Sequence, residues 1–174
     1  MAHKEQRDFC KSVKARRPRH FKDCKVLDCG SLDINGSNKP LFDDCDYIGA
    51  DLGEGKNVDI ISTIHTLPFA DEHFDTIIST ECFEHDRHFI GSLKNITRML
   101  SKGGLFIFTC ATTGRREHGT TRTSPADAPF TNDYYMNITE SDIRAVLNVG
   151  SLFSDYQFSE VHTTHDLQFW GVKK

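Results

Sequence analysis

From residue 25 onward, short apolar runs alternate with amphipathic stretches. KVLDCG (25–30), DYIGADL (46–52), VDIIST (58–63), DTIIST (75–80) and LFIFTCA (105–111) are rich in β-branched and aromatic residues. They lack a helical period, so each predicts a strand. Their nearly continuous apolar character predicts strands covered on both faces, as in a parallel sheet. Between the fourth and fifth runs, Phe89, Leu93, Ile96 and Leu100 recur at helical spacing, and Ser101-Lys102-Gly103-Gly104 supplies a glycine stop. A second helix is predicted from Thr139, where Thr139 and Asp142 approximate a capping box ahead of Ile143, Val146 and Leu147. DYQFSEV and DLQFWGV, joined by HTTH, predict a closing pair of alternating strands. This order predicts a doubly wound, Rossmann-like α/β domain with helices on both faces of a mostly parallel sheet.

One segment fits no element. Residues 112–138 hold two prolines, two glycines and many Ser/Thr, with no apolar period. An insert of this length in a small domain is functional or disordered. Because it follows the fifth strand, it belongs at the carboxyl edge of the sheet, where ligands of open α/β sheets bind. It is read as a substrate lid.

Composition narrows the class. With 174 residues and 37% hydrophobic content, the chain has room for one domain and has no apolar run of membrane-spanning length. The first twenty residues have no apolar core segment, so a secretory signal is not expected. Six cysteines without CxxC pairs or zinc-type knuckles predict free thiols, no structural metal and a reducing, cytoplasmic setting. The net charge of −4 conceals nine Lys/Arg against three Asp/Glu within residues 1–25. Residues 1–24 are therefore read as a basic arm and 25–174 as the main domain. Such an arm could touch phosphates, but the acidic remainder opposes a polyanion, so nucleic acid is disfavoured as a partner. Oligomeric state is not legible.

The first predicted strand runs into Asp28-Cys29-Gly30-Ser31-Leu32-Asp33, and Gly30 permits a sharp turn towards a ligand. Asp51, twenty-three residues past Asp28, ends the second strand, where a carboxylate can accept both hydroxyls of an adenosine ribose. NAD and S-adenosylmethionine proteins share this pattern. A diphosphate needs close backbone approach through GxGxxG spacing. Here Leu32 replaces the second glycine and Asp33 would face the phosphates. A sulfonium and an ammonium suit such acids, so the loop favours S-adenosylmethionine as cofactor.

VLDCGS, YIGADL, LPFADEHFDTIIST, ECFEH and RMLSKGGLFIFT resemble the successive motifs of class I S-adenosylmethionine-dependent methyltransferases, especially the small type 11 group, over roughly residues 25–111. The resemblance implies a seven-stranded sheet whose last strand is antiparallel and lies between the fifth and sixth. It implies that Asp28, Gly30 and Ser31 line the methionine end of the cofactor. Asp51 would hold the ribose, Leu52 would pack on the adenine, Ile64 and His65 would meet the adenine edge, and Thr80 and Glu81 would flank the methyl. Leu32 and Thr63 depart from the family pattern, so the loop must follow another path and the adenine amino group loses a usual acidic partner.

Methyl transfer is an in-line displacement that needs few fixed catalytic groups. His85 is the candidate general base and Glu81 its companion. His85 and His88 form an HxxH without supporting acids, and no metal is expected. Arg115, Arg116, His118, Arg122, Tyr134 and Tyr135 of the insert are candidates for holding a small anionic or sugar-like acceptor of the methyl group, at oxygen or nitrogen. The Asn/Asp-Pro-Pro-aromatic run of resembling base-amino methylases is replaced by STECF, and Cys82 does not follow a proline. Alternatives are a cofactor-binding protein without catalysis and a nucleic-acid- or NAD-linked Rossmann enzyme.

Overall fold

The computed structural model describes residues 4–174; the first three residues of the basic arm lie outside the described residues. Its strands are β1 (Lys25–Cys29), β2 (Asp46–Asp51), β3 (Ile60–Ile61), β4 (Phe74–Thr80), β5 (Leu100–Ala111), β6 (Phe153–Val161) and β7 (Asp166–Lys173). They form one sheet in the order β3-β2-β1-β4-β5-β7-β6. β1 to β5 pair in parallel, and β7 runs antiparallel between β5 and β6. This is the Rossmann-like order that the sequence motifs implied.

Helices α1 (Lys4–Arg16), α2 (Phe89–Met99), α3 (Glu140–Val146) and α4 (Val149–Leu152) complete the domain. Two cores result. On one face, Cys10 and Val13 of α1 lie with Phe21, Val26, Ile78, Ile107 and Trp170. On the other, Leu93 and Ile96 of α2 and Ile143 of α3 meet Leu27, Ile77, Phe106 and Phe108. Side chains alternate between the faces of a strand, so adjacent residues such as Val26 and Leu27, or Ile77 and Ile78, divide between the two cores. Arg17, just past α1, stands over the Trp170 ring at 4.6 Å, a cation–π contact that fixes the start of the chain to the sheet.

Local signals explain the helix ends. Thr139 and Asp142 form the full capping box, the Asp142 carboxylate accepting from the Thr139 amide at 2.8 Å. Asp86 holds the entry to α2, accepting from the His88 amide at 2.8 Å and the Ser92 hydroxyl at 2.5 Å. Two boundaries differ from the sequence reading. β3 is a two-residue edge stub because only β2 pairs with it. β5 starts at Leu100, since a register shift opposite Phe74 and Thr76 takes residues 101–104 into the strand as a bulge. Among the described residues, no regular helix joins β1 to β2 or β2 to β3; one 3₁₀ turn (Lys39–Leu41) with coil makes the first crossing and coil alone the second. Among the described residues, no helix is long and apolar enough to cross a membrane.

Leu93 and Ile96 are fully buried between α2 and the sheet. Ile96→Ala is expected to lower unfolding free energy by about 2–5 kcal/mol, read from urea denaturation. A loss below the value typical of surface sites would mean that α2 does not carry this core.

Candidate active site

The sheet order reverses between β1 and β4, and the carboxyl ends of these strands open a crevice of the kind that binds ligands in α/β folds. Gly30, with φ of 82°, turns the chain out of β1, and its amide donates to the Ala50 carbonyl at 2.9 Å. A Cβ at residue 30 would stand 2.6 Å from Sγ of Cys82. Across from it, β4 ends at Thr80 and Glu81 takes φ of 52°. A glutamate in the left-handed region is strained, a condition that gathers at functional sites.

The cavity between these turns has a volume of about 450 Å³, within the range of small-molecule sites. Asp28, Gly30, Ser31, Asp51, Leu52 and Ile64 line one wall, and Thr80, Glu81 and His85 line the other. His65 does not line it; its ring packs at a tilt against that of His88, 4.1 Å between centroids. Residues 127–132 of the insert form the roof. There the Phe130 ring rests on Gly53, where a Cβ would meet it at 2.3 Å. Phe130 has φ of 74°.

The six polar candidates of the insert lie elsewhere, and none of them lines the cavity. Arg115 donates to Asp166 at 2.9 Å and approaches Glu81 at 3.9 Å, tying the insert to β7 and to the end of β4. Arg122 pairs with Glu117 at 2.7 Å and donates to the Asp133 carbonyl at 3.3 Å. The Tyr135 hydroxyl donates to the Arg116 carbonyl at 3.2 Å, while Tyr134 lies under Arg87 at 5.8 Å. Sequence reasoning missed the roof residues because short polar and apolar side chains near a proline carry no chemical signature of their own.

Asp33 also departs from expectation. Its carboxylate accepts from the Gly36 amide at 2.7 Å and pairs with Lys56 at 2.6 Å, and it does not line the cavity. The electrostatic case against a diphosphate therefore falls to Asp28 and Asp51. Burial pushes the Asp28 carboxyl up to about 7, against a 2.6 Å hydrogen bond from the Tyr47 hydroxyl that favours its charge. Burial also raises Asp51, although it accepts from the amides of Leu32 at 3.0 Å and Leu52 at 2.7 Å. Both acids gain from a cationic ligand. Ser31 Oγ and Asn38 Oδ1, on residues that line the cavity, are buried without a hydrogen-bond partner among the described residues.

His85 meets the insert. Its Nδ1 lies 3.4 Å from the Tyr134 carbonyl, and its ring packs against those of His118 and Tyr135 at 5.0 and 5.4 Å. Burial lowers its pKa to about 4, leaving it neutral near pH 7. Glu84, fully buried beside it, has a carboxylate without a hydrogen-bond partner. Glu81 Oε1 accepts from the Thr109 hydroxyl at 2.9 Å.

Sheet order and cavity define a Rossmann-like α/β domain with its crevice at the carboxyl ends of β1 and β4. Residues 45–108 match the family model described as a methyltransferase domain. No curated protein sequence matches the chain. Among solved structures, it resembles the Burkholderia thailandensis 1,6-didemethyltoxoflavin-N1-methyltransferase, bound to 1,6-didemethyltoxoflavin and S-adenosylhomocysteine. Identity is 16% and the TM-score 0.68, over 97% of this chain and 78% of that one. An Aquifex aeolicus SAM-dependent methyltransferase aligns at 15% identity and TM-score 0.61, over 93% and 89%. The Haemonchus contortus phosphoethanolamine N-methyltransferase 2, in complex with phosphomonomethylethanolamine and S-adenosylhomocysteine, aligns at 16% and 0.65, over 95% and 52%.

Folding favours the neutral form of Asp28, so its contribution to stability is complete below pH ~3.9, the unfolded value, and is lost as pH rises through about 7. Asp28→Asn keeps an acceptor for Tyr47 and removes that loss. Urea midpoints of the ligand-free variant should gain on wild type from pH 4 to pH 8. A difference that stays constant with pH would place Asp28 in a solvated setting.

Proposed function

We propose that the chain transfers a methyl group from S-adenosylmethionine to an oxygen of a small, hydroxyl-bearing, sugar-like acceptor. The observation that carries this reading is the cavity that brings the Gly30 turn, Asp51 and Asp28 together with the β4 end at Thr80 and Glu81. Asp51 would accept the ribose hydroxyls with the lone pairs left over from Leu32 and Leu52. Leu52 and Ile64 would cover the adenine, and Gly30, Ser31 and Asp28 would receive the amino-acid end. The sulfonium supplies a methyl that is already activated.

The protein's own work is then to position the acceptor and exclude water. Asp127, Thr131 and Asn132 of the roof offer hydrogen bonds suited to hydroxyls. Arg115 and Arg122 are engaged by acids of this chain, which weakens the case for an anionic acceptor held by the insert. Glu81 and His85 face the acceptor end. His85 is neutral near pH 7, and its Nε2 is buried. The toxoflavin precursor and phosphomonomethylethanolamine of the similar structures are small molecules, which is consistent with this scale of substrate.

Asp51→Ala removes charged hydrogen bonds worth roughly 2–3 kcal/mol. S-adenosylhomocysteine affinity, measured by calorimetry, should fall about 30- to 150-fold. Unchanged affinity would take Asp51 out of the site. Preference for NADH over S-adenosylhomocysteine in the same titration would overturn the cofactor.

A further inference from the structure

Beside the cavity lies a cluster of which the methyl-transfer reading uses only His85. One carboxylate oxygen of Glu84 and one ring nitrogen each of His85 and His118 fall within 4.8 Å of one another. Glu84 is fully buried, and both its carboxylate oxygens lack hydrogen-bond partners, as do Nε2 of His85 and Nε2 of His118. His118 Nε2 stands 3.9 Å from Glu84 Oε1, too far for a hydrogen bond. Buried polar atoms left without a partner among the described residues are costly unless something sits among them.

The other ring nitrogens settle the tautomers. His85 Nδ1 lies 3.4 Å from the Tyr134 carbonyl, and His118 Nδ1 lies 3.2 Å from the Arg116 carbonyl. A carbonyl only accepts, so each Nδ1 carries the proton and each Nε2 keeps a lone pair. A hydrogen bond from the distal nitrogen is how metal-binding histidines are oriented. Gly119 (φ 69°) makes the approach possible, since a Cβ there would stand 2.7 Å from Cε1 of His85.

We propose that Glu84, His85 and His118 hold a divalent first-row transition ion beside the acceptor end of the cavity, which His85 alone of the three lines. Two imidazoles and a carboxylate favour such an ion over magnesium or calcium and leave coordination positions open. His85 then serves as a ligand, not a general base. Resting on the methyltransferase reading, the ion's role is to bind the acceptor hydroxyl and ease loss of its proton to solvent, so that the alkoxide oxygen forms the new bond to the methyl while the methyl–sulfur bond breaks.

Full-length protein, stripped with a chelator, would be titrated with Co²⁺ by calorimetry while ligand-field absorption is recorded, and S-adenosylhomocysteine affinity would be measured separately. One ion per chain is expected. His118→Ala and Glu84→Gln should each weaken it about tenfold or more without changing S-adenosylhomocysteine affinity. His88→Ala, outside the cluster, should bind the ion as wild type does. No stoichiometric uptake by wild type, or variants that keep its affinity, overturns the site. Ion uptake without S-adenosylhomocysteine binding would support the metal site and refute the cofactor.

Discussion

A Cβ on residue 30 would collide with Cys82, so the turn leaving β1 and the turn leaving β4 can share one floor only while that residue is glycine. The rest of the site depends on this approach. Parallel pairing of β1 with β2 sets Cys29 beside Ala50, which brings Asp51 level with the Gly30 turn. Pairing of β4 with β5 sets Thr80 beside Thr109, where Glu81 turns away from the sheet with its amide on the Thr109 carbonyl. The wall that would grip the nucleoside and the wall that would face the acceptor are therefore separated by the width of the Gly30 turn and the Glu81 turn.

Around that floor the protein holds acids that burial makes uncomfortable. Asp28, Asp51 and Glu84 all have raised pKa values, with desolvation the leading cause in each. Structural ion pairs would have neutralised them, as Lys56 does for Asp33 and Arg98 does for Asp71. Leaving these three without a lysine or arginine partner costs stability in the ligand-free chain. The same cost becomes binding energy for a cationic ligand, because its charge replaces the missing partner. Stability and affinity are thus coupled through the same side chains.

Much of the scaffold was legible in sequence because its signals are local. Strand runs, the α2 spacing and the Thr139–Asp142 box each depend on residues within a few positions of one another, and the order of motifs carried the sheet topology. Glu81 and His85 were legible as an acidic and an imidazole group at the end of β4. Their setting was not. His118 lies 33 residues after His85, in a stretch with no periodicity, and only the folded insert brings the two rings together. Arg115 and Arg122 look like substrate clamps on charge alone, yet Asp166, Glu117 and Asp133 take them up. Asp33 misled in the same way, because its partner Lys56 is remote in sequence. Charge is visible in a sequence; the pairing of charges is not.

The contact between Gly53 and the Phe130 ring has a kinetic consequence. No helix crosses between β2 and β3, so an aromatic side chain on a strained backbone roofs this edge of the cavity. Lifting one ring is a smaller event than displacing a packed helix. The dwell time of a spent nucleoside would be governed by that ring, and any side chain at residue 53 would wedge the exit ajar, speeding departure while the chemistry at the far wall stays intact.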